Sequence, residues 1–145
     1  MGKQLAAGAM APDLSLKILG GGEVSLHAPE PVLLAFFKIS CPVCQLILPY
    51  LQRLHPTLKV WGVSQNNAKD TRDFASHFGL TIPILLDPED TFPASNAFGI
   101  SHVPTIFMLE PGGRIRKVID GWVKQEMVAL GAVGPADNVP AWKAG

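Results

Sequence analysis

The sequence predicts an α/β domain in which one buried strand hands a pair of cysteines to a helix. Three observations carry that reading. Val32-Leu33-Leu34-Ala35-Phe36-Phe37 is an uninterrupted apolar run of strand length. Cys41-Pro42-Val43-Cys44 follows it, and the stretch from Gln45 to Leu54 repeats Ile47, Leu51 and Leu54 at helical spacing. Down the rest of the chain strand-like and helix-like segments alternate, closing on a Pro111-Gly112-Gly113 turn. A chain of 145 residues fits one domain spanning 1–145 and can bury a core without staples.

In chain order, residues 1–10 read as a loose lead-in that ends at Ala11-Pro12. Leu14 to Ile18 alternates as a half-buried strand, and Gly20-Gly21-Gly22 turns it into Val24-Ser25-Leu26, a small hairpin. The central strand 32–37 then leads through the cysteines into a helix expected to reach Leu54, with Pro49 removing one backbone bond inside it. His55-Pro56 stops that helix. Leu58 to Ser64 reads as a second strand, parallel to the first through the crossover helix. Asn67 and Asp70 mark a helix start, and Phe74, Ala75 and Phe78 form its apolar face up to Gly79. Ile82 to Leu86 is a short strand, Ala94 to Phe98 a brief helix closed by Gly99, and Ile106 to Leu109 pairs with Ile115 to Ile119 across the turn. Lys124 to Leu130 is the last helix. Residues 134–145 read as a loose tail, which leaves a core of 11–133.

Composition excludes several classes. With 48% hydrophobic and 17% charged residues the chain is globular rather than disordered. Twelve basic residues balance twelve acidic ones, so no general attraction to nucleic acid or an anionic membrane surface is implied. The apolar run 32–37 is far short of a membrane span. Lys3 and the stretch from Leu5 to Ala11 are too short and too weakly apolar for a secretory signal. The expected compartment is therefore the cytoplasm, or the periplasm or exterior if a signal peptide has been removed; a monomer is expected.

Cys41 and Cys44 are the only cysteines, too few for a secreted disulfide framework. A helix N-terminus offers unpaired amides and a partial positive charge, which favour a thiolate over a thiol, and a second sulfur one turn on can close a disulfide. The pattern points to a redox dithiol. A zinc site needs about four ligands; only one cysteine pair exists, and His27, His55, His77 and His102 show no ligand spacing. No metal and no cofactor are expected. A purely structural pair is the plainer alternative, against which the strand–helix placement and Pro104 weigh.

The chain resembles thioredoxin-fold proteins of the branch that holds the TlpA/ResA-type thiol-disulfide oxidoreductases and the AhpC/TSA redoxins. The resemblance rests on the strand, Cys41-Pro42-Val43-Cys44 and a helix carrying Pro49; on Val103-Pro104-Thr105, like the family's cis-proline segment; on the closing hairpin with Gly121; and on Ala11-Pro12-Asp13-Leu14 with its hairpin. It spans residues 11–133. It implies a central mixed sheet flanked by helices with an extra N-terminal β-hairpin. It further implies that Cys41 attacks, that Cys44 resolves the mixed disulfide, and that Pro42 and Val43 face the partner. Pro104, if cis, would expose the Val103 backbone to a substrate strand, and Gly121 would let another backbone approach closely. Partners would be protein thiols or disulfides and an upstream redox donor.

Departures from the family pattern are equally specific. The buried aspartate of thioredoxins is Ala35 here, and the helix glutamate of ResA-like proteins is Ile47, so neither customary proton acceptor is present. Ser40 stands where a tryptophan commonly precedes the first cysteine. A peroxidase is the alternative activity, but the hydroxyl and proline that peroxiredoxins place before their cysteine are Lys38 and Leu34. A copper-binding module would need His102 in an unfamiliar place. Lys38 is a candidate for charge stabilisation of Cys41, with a solvated strand-end lysine as the plainer account.

Overall fold

The computed structural model describes residues 3–145. Its strands are β1 (Ser15–Ile18), β2 (Glu23–Ser25), β3 (Val32–Phe37), β4 (Lys59–Ser64), β5 (Ile84–Leu86), β6 (Thr105–Leu109), β7 (Ile115–Asp120), β8 (Trp122–Val123) and β9 (Trp142–Lys143). Its helices are α1 (Pro42–Gln52), α2 (Ala68–His77), α3 (Pro93–Phe98) and α4 (Lys124–Leu130). Seven strands form one sheet in the order β2-β1-β5-β4-β3-β6-β7. The middle strands β3, β4 and β5 run parallel, while β6 and β7 on one side and β1 and β2 on the other are antiparallel additions. The sheet is mixed and carries the expected N-terminal hairpin.

All six residues of β3 are buried, which requires cover on both faces of the sheet. Successive strand residues point to opposite faces, and Phe36 and Phe37 show what covers each. Phe36 packs edge-on against Phe98 of α3 and Phe107 of β6, with ring centroids 5.1 and 5.8 Å away. Phe37 stacks on Phe74 of α2 at 5.5 Å. Helix α1 buries Cys44, Ile47, Leu48 and Leu51, so the second cysteine belongs to its core face. The Asn67 side chain accepts from the Asp70 amide at 2.8 Å as the expected cap of α2, and Gly99 closes α3 in the left-handed region.

Several expectations need correction. Helix α1 ends at Gln52, because the Arg53, Leu54 and His55 amides bond three residues back in successive tight turns. Strand β5 starts at Ile84; the Pro83 carbonyl instead accepts from the Gly62 amide. Of the stretch read as a loose lead-in, residues 1–2 lie outside the described residues, and the remainder is docked. The Leu5 amide donates to the Phe98 carbonyl at 2.9 Å, the Gly8 amide to the Ile115 carbonyl at 2.8 Å, and Met10 bridges Arg114. Residues 134–145 are not loose either. Strand β9 pairs with β8, the Trp122 indole N–H donates to the Pro140 carbonyl at 2.6 Å, and Arg53 holds Asp137 through two bonds of 2.8 and 3.1 Å. These ties are all long-range, so local sequence carried no sign of them.

Candidate active site

The site sits where β3 ends and α1 begins. Cys41 is the N-cap of α1, in extended backbone conformation, and its Sγ accepts from the Cys44 amide at 3.1 Å. A cap acceptor is ordinarily the oxygen of Ser, Asp or Asn; here a sulfur satisfies one of the helix's open amides. Pro42 at the first helical position costs nothing, since its absent N–H has no partner in that turn. Cys41 is half-buried and Cys44 is fully buried, and both are free thiols.

Burial pushes the Cys44 thiol well above the ordinary cysteine range. A hydrogen bond and a smaller charge effect from Cys41 push the same way, and main-chain groups of Lys38 and of Cys44 itself offset part of the rise. Lys38 thus acts on the pair through its backbone. Its side chain is exposed, in keeping with the plainer account of that lysine. Ala35 and Ile47, standing where relatives carry carboxylates, are both fully buried.

Two polar side chains clamp the turn that presents Cys41. The Asn66 carbonyl oxygen accepts from the Ile39 amide at 2.9 Å, and the Gln45 amide nitrogen donates to the Ile39 carbonyl at 2.9 Å. Sequence reading missed both. Gln45 follows Cys44 directly, a visible if weak signal, whereas Asn66 arrives from the far end of β4.

The Val103–Pro104 bond is cis, as the motif implied. The Val103 carbonyl lies 3.6 Å from Cys41 Sγ, and the Gly121 amide donates to the Pro104 carbonyl at 2.9 Å. Cys41, Cys44, Val103, Pro104 and Gly121 therefore form one neighbourhood. Pro42 is exposed and Val43 partly so, next to the sulfur. The His102 ring pairs with Asp120 at 3.1 Å. Among the described residues no three His, Cys, Asp or Glu side chains gather as metal ligands. A cleft of about 410 Å³ between β1 and the start of α2 includes neither cysteine. Beside the site lies a small one of about 100 Å³, lined by Lys38, Gln65, His102 and Val103 among others.

A family model described as AhpC/TSA matches residues 7–118. The chain belongs to the AhpC/TSA family. It is 32% identical over 130 residues to the thiol-disulfide oxidoreductase ResA of Geobacillus thermodenitrificans, covering 84% of this chain and 74% of that one. It is 33% identical over 132 residues to the thioredoxin-like protein YneN of Bacillus subtilis, covering 83% and 75%. The thioredoxin domain of a thiol-disulfide oxidoreductase from Bacteroides vulgatus superposes with a TM-score of 0.72 at 24% identity, over 79% of this chain and 89% of that one. That likeness establishes the thioredoxin fold. Within AhpC/TSA the chain is thus a ResA-like redoxin with a Cys-x-x-Cys pair, and an oxidoreductase of the thiol–disulfide type.

Proposed function

We propose that this oxidoreductase exchanges its Cys41–Cys44 pair with protein thiols or disulfides, with Cys41 attacking and Cys44 resolving. One observation carries the order: Cys41 is partly exposed and its Sγ is bonded by the Cys44 amide at a helix start, whereas Cys44 has no exposed surface. The Cys41 thiolate attacks a partner disulfide, forming a new S–S bond and expelling one partner thiolate. Cys44 then loses its proton and attacks Cys41 Sγ, so the second partner sulfur leaves as a thiolate. Two electrons pass to the partner and the pair is left as a disulfide. An upstream dithiol donor restores it by the same steps.

The electrostatics support this sequence of events. A hydrogen bond to the Cys41 sulfur is the second cause, after burial, that holds the proton on Cys44. Once Cys41 is tied up in a mixed disulfide it carries no charge and its sulfur is a poorer hydrogen-bond acceptor, so that part of the hindrance falls away while burial remains. The Cys41 share of the hold on that proton is thus released only when there is an intermediate to resolve. With Ala35 and Ile47 in place of carboxylates, water or a partner group receives the proton.

The test is mixed-disulfide trapping. Cys44→Ser should accumulate a covalent complex between Cys41 and a partner protein that reductant releases, while Cys41→Ser should neither trap nor turn over. Trapping through Cys44 in the Cys41→Ser protein would reverse the assignment.

A further inference from the structure

We propose that residues 142–145 occupy the main-chain edge that a partner's backbone takes when its sulfur joins Cys41, so that this segment competes with extended protein substrates. The inference rests on the exchange reading above and adds a constraint on which disulfides the site admits.

The geometry begins with the sulfur. A mixed disulfide holds the two Cβ atoms about 3.8 Å apart and the two Cα atoms about 5.5–6 Å apart. The partner's backbone must therefore run alongside Cys41, and the Val103 carbonyl lies only 3.6 Å from that Sγ. Val103 pairs with no strand among the described residues, whereas Thr105 next but one is already in β6 between β3 and β7. Gly121, bonded through its amide to the Pro104 carbonyl, continues the same edge toward β8. An extended segment flanking a partner cysteine would find its hydrogen-bonding groups along this line.

The chain's own residues already lie on it. The Lys124 amide donates to the Ala141 carbonyl at 2.9 Å, Val123 faces Trp142, and Trp122 faces Lys143. Antiparallel pairs alternate, so Trp122 and Lys143, two positions from the bonded 124/141 pair, again exchange main-chain bonds. The segment then passes over Gly121. A Cβ at Gly121 would stand 2.5 Å from the Lys143 carbonyl oxygen and 3.1 Å from the Gly145 nitrogen, and its φ of +69° also favours glycine. At Gly145 a Cβ would collide with the Val103 carbonyl itself and come within 3.2 Å of the His102 ring. The close approach that Gly121 permits is therefore used by this chain before any partner arrives.

The hold is weak enough to yield. β8 and β9 are two residues each, residues 141–145 are all exposed, and Trp142 shows 64% of its surface. So short a ladder opens without global unfolding. The segment is nonetheless returned reliably, because Arg53–Asp137 and the Trp122–Pro140 bond fix the chain just upstream. A tethered strand of this kind acts as a competitor at roughly millimolar effective concentration. A partner must offer enough pairing to displace it. A small disulfide needs only the sulfur.

The test uses the full chain with Lys143→Pro, which removes the amide from the bonded pair, and Lys143→Ala, which removes the charged side chain beyond Cβ and keeps the amide. Rates of Cys41 oxidation are compared for an extended peptide carrying one activated cysteine disulfide and for dithiobis(nitrobenzoate), a small disulfide. Lys143→Pro should speed the peptide reaction about five-fold, the opening expected from losing one hydrogen bond, and leave the small-disulfide rate and the Lys143→Ala rates unchanged. Equal rates in Lys143→Pro and the unaltered protein, or a slower peptide reaction, overturn the inference and leave thiol exchange standing. A Cys41 inert to both reagents overturns the exchange reading itself. In Cys44→Ser protein with the peptide trapped on Cys41, the Lys124 amide should also lose its protection from hydrogen exchange; retained protection refutes displacement.

Discussion

Raising the pH on the reduced protein tests the burial of Cys44 through stability. In the unfolded chain that thiol titrates near its ordinary value of about 8.5. In the folded protein burial, reinforced by Cys41, keeps it protonated well above that range. The folded pKa is raised, so its stabilising contribution is complete below about pH 8.5 and is lost as pH climbs beyond. In that window the native state binds one proton more than the unfolded state. Each pH unit therefore removes about 1.4 kcal/mol, and two units about 2.7 kcal/mol. Against a typical domain stability of about 5–15 kcal/mol this is a large fraction. Urea unfolding in a non-thiol reductant, at half-unit steps from pH 8 upward, would be run on the unaltered protein and on Cys44→Ala. Lysine and tyrosine titrations are common to both, so their difference isolates the thiol. The expected difference bends over near pH 8.5 and then declines with pH at that slope. Parallel stability curves for the two proteins would refute the reasoning, because they would mean Cys44 ionises as readily folded as unfolded.

Two further substitutions probe the supports of the site. Asp87 is fully buried and accepts from the Ala94 amide at 2.9 Å, the Ser95 amide at 2.8 Å and the Ser95 hydroxyl at 2.6 Å, so it caps α3 from outside the helix. Asp87→Ala strands those donors and should cost about 3 kcal/mol in denaturant unfolding; unchanged stability would show that water replaces the carboxylate. Asn66→Ala should cost about 1 kcal/mol by orphaning the Ile39 amide. It should also slow iodoacetamide labelling of Cys41 by loosening the turn that presents it, and Asn66→Asp, which keeps the acceptor, should restore the rate. A labelling rate that Asn66→Ala leaves untouched would remove Asn66 from the positioning of Cys41.

The features legible in the sequence are those written within a few residues of one another. The apolar run of β3 next to Cys41 and Cys44, the Asn67 cap, the Gly99 stop and the Pro111-Gly112-Gly113 turn are local signals. Each appears in the structure where the spacing put it. The cis Val103–Pro104 segment was legible only through family resemblance, since nothing within 103–105 says that it lies beside Cys41, 62 residues away. The clamp on Ile39 spans 27 residues to Asn66, and the cap on α3 comes from a side chain in the preceding loop. No periodicity reports such pairings.

What the sequence alone determined was the chemistry: two cysteines at a strand-to-helix junction can do little better than exchange electrons as a dithiol. Only the tertiary structure decided which sulfur is accessible, because burial of Cys44 is a property of the packed α1 face against the sheet. It also decided the fate of residues 134–145, which composition leaves undetermined. Their course is set by Arg53, Trp122 and Gly121, side chains and a gap that come together only when the sheet is assembled. Local pattern measures how a segment treats water, whereas a site is made by distant segments excluding water from one another.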